Sequence, residues 1–234
     1  MQIPFSVVII TKNEESYIAD AVKSALFADE VLVLDSGSSD NTCTIASKLG
    51  AKVLHQEWLG FGAQKNQAVS LARNDWVFVL DADERITNEL QNELLAVLGN
   101  PKTKAYQVAR LNRFFGKDIK HCGLYPDYTI RLFDRSIGRF NEVSVHESIQ
   151  TNETILKLKH PLTHLAFDSV SEFRRKQRLY AMLSNKKRNF AKAFVSPIFT
   201  FLKIYLFRLG ILEGWRGLVI AIVYAQYTFW KYFK

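Results

Sequence analysis

Three acids stand within four residues at Asp81-Ala82-Asp83-Glu84, directly after the apolar run Trp76 to Leu80. Two carboxylates one residue apart can share a hard divalent cation, and such a cation can bridge phosphate oxygens. Without a cation the acids repel one another; a turn or a helix cap is the simpler reading for any one of them alone. Two more polar clusters end apolar runs: Thr11-Lys12-Asn13-Glu14 follows Phe5 to Ile10, and Asp35-Ser36-Gly37-Ser38-Ser39-Asp40 follows Val31 to Leu34. At a strand end the Asp35 carboxylate can accept hydrogen bonds from a nucleobase or ribose, while Ser39 and Asp40 read as helix N-caps. Lys65, in Gly60-Phe-Gly-Ala-Gln-Lys-Asn66, lies near a helix start. A cation there is unfavourable unless an anion, such as a diphosphate, sits beside it.

The elements that must hold these residues follow from periodicity. Phe5 to Ile10 reads as a strand buried on both faces, Glu15 to Phe27 as a helix, Val31 to Leu34 as a strand, and a helix capped by Ser39 or Asp40 runs to Leu49. Ala51 to His55, Gly62 to Ala72, Trp76 to Leu80 and Thr87 to Leu98 continue the alternation as strand, helix, strand, helix. Repeated βα units give a mostly parallel sheet covered by helices, with ligands beyond the carboxyl ends of its strands. From Lys104 to Lys159 shorter strands (Ala105 to Leu111, Thr129 to Phe133, Thr154 to Leu158) extend the same domain into a substrate face. Beyond Ser169 the spacing is helical, with two more helical stretches after Pro197, broken near Gly210 and Gly214. The expected division is therefore 1–168, a nucleotide-binding and catalytic domain, and 169–234, a basic helical region.

Composition excludes several classes. With 234 residues, 48% hydrophobic and 23% charged, the chain is neither a disordered tail nor a collagen-like rod. Its two cysteines, Cys43 and Cys122, support neither a disulfide framework nor a zinc cluster, and a reducing cytosol fits best. No Lys or Arg precedes Lys12 and no small-residue cleavage site follows the first apolar run, so no secretory signal is expected. Charge is divided unevenly. Residues 1–173 carry 18 Lys and Arg against 22 acids, a net of −4; residues 174–234 carry 13 against the single acid Glu213, a net of +12, and together these make the +8 of the whole chain. That asymmetry points to a basic arm meeting a polyanion.

The strings Val7-Val-Ile-Ile-Thr-Lys-Asn-Glu-Glu15, Val33-Leu-Asp-Ser-Gly-Ser-Ser-Asp40 and Val79-Leu-Asp-Ala-Asp-Glu84, in this order and spacing, resemble the family-2 glycosyltransferases with the nucleotide-diphospho-sugar-binding GT-A fold. Gly123-Leu-Tyr-Pro-Asp-Tyr128, Arg131-Leu-Phe133, Val145-His-Glu147 and Leu209-Gly-Ile-Leu-Glu-Gly-Trp-Arg-Gly-Leu218 are similar to a bacterial subgroup, the beta-1,4-glucosyltransferases of the lipopolysaccharide inner core. The resemblance implies an inverting, metal-dependent transfer of a hexose, glucose from UDP-glucose first, to a lipid-anchored saccharide. It implies that Thr11, Asn13 and Glu14 line the uridine pocket and that Asp35 holds base or ribose. Lys65 joins this nucleotide-sugar set, Asp81 reaches the ribose side, and Asp83, with Asp81, holds Mg²⁺ or Mn²⁺. Ser36 stands where many members have a second aspartate; its hydroxyl can still hydrogen-bond. Inverting transfer needs a base for the acceptor hydroxyl, and Glu147 resembles the family's catalytic acid position, with His146 as neighbour or second choice. Asp127 and Arg131 are candidates for acceptor or donor sugar, and a cross-strand salt bridge explains them equally well.

The basic arm is also aromatic: residues 194–234 hold 12 of the chain's 30 aromatics. Its longest uncharged stretch, Gly217 to Trp230, is 14 residues. As a helix that is about 21 Å, short of the roughly 30 Å hydrocarbon core. Helices lying in the headgroups of an anionic leaflet are expected; with the resemblance, this implies a cytoplasmic protein peripherally associated with the inner face of the bacterial cytoplasmic membrane. Packing of these helices on the catalytic domain or a second subunit is the alternative. Nucleic acid is not expected as a partner, since so many apolar residues have no use on a phosphate backbone. Rival functions are transfer of another sugar or to a polyprenyl phosphate, and a non-catalytic nucleotide-sugar-binding scaffold.

Overall fold

The structure, a computed structural model, describes residues 3–141, 148–167 and 169–234. Its first half alternates as expected: β1 (Phe5–Thr11), α1 (Ile18–Ala25), β2 (Glu30–Asp35), α2 (Thr42–Lys48), β3 (Lys52–His55), α3 (Phe61–Leu71), β4 (Trp76–Asp81), the short β5 (Glu84–Arg85) and α4 (Asn88–Gly99). There follow β6 (Ala105–Phe114), β7 (Lys117–Asp118), β8 (Asp127–Asp134), β9 (Arg139–Phe140), β10 (Ile149–Gln150), β11 (Ile155–Lys157) and β12 (Leu162–Phe167). Three helices close the chain: α5 (Val170–Leu183), α6 (Phe190–Leu202) and α7 (Trp215–Phe233).

The chain forms two compact units, one of residues 1–110 and 127–164, the other of residues 111–126 and 165–234. In the first, β3, β2, β1 and β4 pair in parallel; β8 pairs antiparallel to β4 and to β6. All seven residues of β1 are buried, because the sheet is covered on both faces. Phe5, Val7 and Ile9 pack with Ile18, Val22, Leu90 and Leu94 on one side. Val8 and Ile10 pack with Ala68, Val69, Phe133 and Phe140 on the other. Thr87 caps α4 by accepting from Leu90 N at 3.2 Å. The N-cap of α2 is Asn41 rather than Ser39 or Asp40, though Asp40 Oδ1 still accepts from Thr42 N at 3.0 Å.

The second unit has its own core, in which Phe114, Ile119 and Cys122 meet Phe173, Ile204, Ile220 and Val223. The helical region expected after residue 169 thus shares its unit with residues 111–126. Pro197 lies inside α6 instead of breaking the chain before it. A proline removes one i→i−4 bond there, which pairing of α6 with α7, through Phe194 on Phe229 (5.8 Å) and Thr200 on Thr228 (3.1 Å), outweighs.

Candidate active site

Parallel pairing sets Asp35 opposite Thr11 and Asp81 opposite Ile10, so the polar ends of β2, β1 and β4 come level within one residue. Around the first two, the backbone is tied by side chains. Ser36 N donates to Thr11 O (2.9 Å), Asn13 N to Ser38 Oγ (2.8 Å), Ser39 N to Asn13 Oδ1 (2.8 Å) and Glu14 N to Thr42 Oγ1 (2.8 Å). Asn13 adopts φ 55°, a conformation asparagine tolerates better than most residues, and its amide thereby reaches back over β2. Asp35 is buried and accepts from Gly37 N and Ser38 N, each at 2.9 Å, and from the Ser38 hydroxyl. Burial alone would raise its pKa, but these donors outweigh burial and hold the carboxyl below its ordinary range. Ser36 Oγ accepts from the buried amide of Gln64 at 3.0 Å. Thr11 Oγ1, also buried, has no hydrogen-bond partner among the described residues.

At the end of β4 the charges are interlocked. Asp81 Oδ1 meets Lys65 Nζ at 3.1 Å and Asp81 Oδ2 meets Arg131 Nη2 at 2.9 Å. Arg131 Nη2 also donates to Glu84 Oε1 at 2.5 Å, and Glu84 Oε2 accepts from Asp81 N at 3.0 Å. Lys65, Arg131 and Glu84 are all buried. Desolvation would raise the Asp81 pKa, but Arg131 and then Lys65 hold it well below the usual carboxylate range. For Glu84, burial and the nearby Asp81 prevail over Arg131 and push the pKa up. Arg131 stays charged, since its two carboxylates outweigh its own desolvation. The cation required by three neighbouring acids is therefore supplied in part by the chain itself. Asp83 differs: its side chain is 37% exposed, with His164 Nε2 3.3 Å from Oδ2. Burial would lower the His164 pKa, and Asp83 reverses that and raises it. No cluster of three or more metal-ligating side chains occurs among the described residues.

Lys65, Asp81, Asp127 and Arg131 line one cavity of about 480 Å³, together with Arg110, Tyr128 and Ser148. Asp127 and Arg131 do not pair with each other. Asp127 Oδ2 receives Arg110 Nε at 3.0 Å across β6 and β8, and Arg131 faces Asp81 and Glu84. Phe140 also lines a larger cavity of about 620 Å³ beside Asn66 and Arg135, which holds none of the expected site residues. His146 and Glu147 lie outside the described residues. Sequence reasoning passed over three groups. Glu84 was read only as one more acid; Arg110 gave no local signal, because its partner is 17 residues away; His164 sits in β12, a strand that the turn-like Pro161 and the polar Thr163 and His164 disguised.

Comparison with known proteins supplies the remaining context. Residues 6–201 match the family described as Glycosyl transferase family 2. An uncharacterized glycosyltransferase of Rickettsia typhi is 31% identical over 98% of this chain and 85% of its own length. The lipopolysaccharide core biosynthesis glycosyltransferase LpsC of Rhizobium meliloti is 29% identical over 97% of this chain and 90% of its own. Among solved structures, S. aureus TarS 1–349 in complex with UDP superposes with a TM-score of 0.53 at 19% identity, covering 99% of this chain and 89% of that one. The architecture, a parallel half extended by antiparallel strands and followed by helices, is that of GT-A glycosyltransferases. A match that spans β1 to α6 and encloses every level strand end makes the protein a member of glycosyl transferase family 2, and hence a glycosyltransferase.

Proposed function

We propose that the protein transfers a hexose, with inversion, from a nucleotide sugar to the lipopolysaccharide inner core, using Mg²⁺ or Mn²⁺ at Asp83. UDP-glucose is the donor of choice. The observation that carries the metal reading is the contrast between the two acids of Asp81-Ala82-Asp83: both oxygens of Asp81 are taken by Lys65 and Arg131, whereas Asp83 is partly exposed beside His164. A carboxylate and an imidazole would hold a divalent cation together, and this oxygen-nitrogen pair suits Mn²⁺ better than Mg²⁺, which prefers oxygen alone. When bound, the cation supplies neutralising charge to the donor diphosphate. Other tasks fall to the chain. The buried Thr11 hydroxyl, costly to leave unpaired, offers a hydrogen bond to the nucleotide. Asp35 positions the base-binding loop through Gly37 and Ser38. Lys65 and Arg131 keep Asp81 ionised at the cavity wall, and Arg110 and Asp127 offer polar contacts to a sugar in the same cavity. Glu147 takes the proton of the attacking hydroxyl, with His146 beside it.

The acceptor reading is supported by LpsC, whose name places that protein in lipopolysaccharide core biosynthesis. For the donor, TarS, a relative in fold, has been solved with UDP and with UDP-GlcNAc, so uridine nucleotides are tested first. Peripheral attachment to the cytoplasmic face of the membrane is supported by the second unit. Residues 190–207 form an 18-residue helical stretch of mean hydropathy 1.5 that is only 11% buried. Lys192 and Lys203 hid this stretch from a search for uncharged runs. Ile198 and Phe199 are 62% and 67% exposed on it. The helix α7 separates α6 from the strongly basic α5, through Phe229 on one side and Trp230 on the other. Spanning would carry the arginines of α5 toward hydrocarbon, so an in-plane arrangement is favoured.

The deciding experiment incubates the purified protein with UDP-glucose, UDP-galactose, UDP-GlcNAc and an ADP-heptose, each with Mn²⁺, Mg²⁺ or chelator, and with inner-core acceptor. Transfer of glucose with inverted anomeric configuration, faster in Mn²⁺ and abolished by chelator, is expected. Full activity in chelator removes the metal from the reading, and preference for another donor removes glucose.

A further inference from the structure

The second unit contains a groove between α5 and α7, of about 750 Å³, lined by none of the residues assigned above to the transfer reaction. The two helices run parallel in register: Phe173 meets Tyr224 (5.7 Å), Arg174 Nε donates to Gln226 Oε1 (3.2 Å), and the Arg178 guanidinium lies over the Trp230 ring (4.5 Å). Arg178 stands one turn after the adjacent Arg174 and Arg175 on α5, and all three line one wall. Leu179 and Met182 make the groove apolar further along, toward the C-terminal end of α5.

Among the described residues the arginines lack counter-charge. Residues 169–234 contain two acids, Glu172 and Glu213. Glu172 is paired with Lys176 at 3.2 Å and Glu213 with Lys117 at 2.9 Å. Among the described residues no acid pairs with Arg174, Arg175 or Arg178, so three guanidinium groups within five residues repel one another along one wall of the groove. Gln226 and Trp230 nevertheless hold two of them in place, which lowers the entropy cost of engaging an anion. A ligand complementary to this groove is anionic at one end and apolar at the other. A free phosphate or a nucleic acid satisfies the wall and leaves the apolar part wet.

We propose that the α5–α7 groove binds an anionic phospholipid of the membrane, its phosphate on Arg174, Arg175 and Arg178 and its acyl chain along Leu179 and Met182. This rests on the membrane reading above for the source of the ligand, and on the groove alone for its chemistry.

The test uses the full-length protein and monomeric dihexanoyl-phosphatidylglycerol, with dihexanoyl-phosphatidylcholine and glycerol phosphate as comparisons, followed by calorimetry. Saturable binding of the anionic lipid is expected, with the zwitterionic lipid and glycerol phosphate each about tenfold weaker or worse. Each arginine near an anionic headgroup contributes about fivefold in affinity, so R174Q/R175Q/R178Q should weaken binding on the order of a hundredfold. All three side chains are exposed, and unchanged circular dichroism shows that the variant is folded. The membrane reading is tested separately by I198E/F199E, on the exposed face of α6: this variant should leave phosphatidylglycerol vesicles yet keep its affinity for the short-chain lipid. The groove assignment is overturned if the native protein does not saturate with dihexanoyl-phosphatidylglycerol, if the triple variant binds it as tightly as the native protein, or if glycerol phosphate binds equally well.

Discussion

Replacing Glu213 by glutamine removes the charge from a carboxylate that is 4% exposed and serves four donors. These are Lys120 N at 2.9 Å, His121 N at 3.1 Å, His121 Nδ1 at 2.7 Å and Lys117 Nζ at 2.9 Å. Burial alone would raise its pKa, yet the Lys117 and His121 side chains and the Lys120 N–H reverse that and lower it from 4.5 to about 2. A difference of this size corresponds to about 3 kcal/mol of folding free energy. Lys117 is half exposed, so salt screens part of it, and about 2–3 kcal/mol is the expected cost of the substitution at pH 7. Because the folded pKa is the lower one, the contribution is complete above pH 4.5 and disappears as pH falls toward 2. Urea unfolding of native protein and Glu213→Gln at pH 7, 4.5 and 3, read by circular dichroism and by hydrogen exchange at residues 117–122, measures it. The gap between the two proteins should narrow below pH 4.5. A gap that is the same at pH 7 and pH 3 would refute the reasoning, since other acids act equally in both proteins.

Four more outcomes follow from the site. Arg131→Met leaves Asp81 and Glu84 without their shared cation and should lower stability by about 3–5 kcal/mol in thermal unfolding, with partial recovery when Glu84→Gln is added. Thr11→Val removes a buried hydroxyl that has no described partner, so stability should hold or rise slightly while UDP affinity falls by about 1 kcal/mol, measured calorimetrically. Asp83→Asn should leave the protein folded and abolish the enhancement of UDP binding by Mn²⁺; an unaltered metal dependence removes Asp83 from the role. Glu147→Gln should keep donor affinity and lose about 10² to 10⁴ in turnover, and a native rate would move the base elsewhere.

Much of the first unit is legible in sequence because its strands are buried on both faces. A continuous run such as Phe5 to Ile10, rich in β-branched residues, suits a covered parallel strand, and the polar residue ending each run falls at the carboxyl edge, where sheets of this kind bind ligands. Interlocking of the acids was not legible. Asp81, Glu84 and Arg131 are separated by 47 and 50 residues, and only the antiparallel pairing of β4 with β8 brings them together. Sequence spacing suggested repulsion requiring a bound cation, whereas the fold answers part of it with Arg131 and Lys65. Periodicity also failed at Pro197, where a local rule predicts a break and the packing of α6 on α7 prevails.

Resemblance to the inner-core glucosyltransferases rests on two kinds of residue, and the structure separates them. Along the level ends of β1, β2 and β4 the shared residues are polar side chains at the carboxyl edge of the parallel strands. In the second unit, the shared string 209–218 and the residue before it fasten to the segment 117–122 that leads into the other shared string. Cys122 N donates to Arg208 O at 2.8 Å, and the Glu213 carboxylate gathers residues 117–121. A Cβ on Gly217 would strike the carbonyl oxygen of Gly210, so α7 can start against that turn only with glycine there. The arginine of the same string, Arg216, donates to Phe115 O from Nε (3.2 Å) and Nη2 (2.8 Å). Gly210, Glu213, Arg216 and Gly217 are therefore demanded by packing, and their match to a catalytic family reports a shared helical unit. Under the proposed function, donor and acceptor choice would lie in the first unit's cavity, and membrane attachment in the exposed faces of α5, α6 and α7.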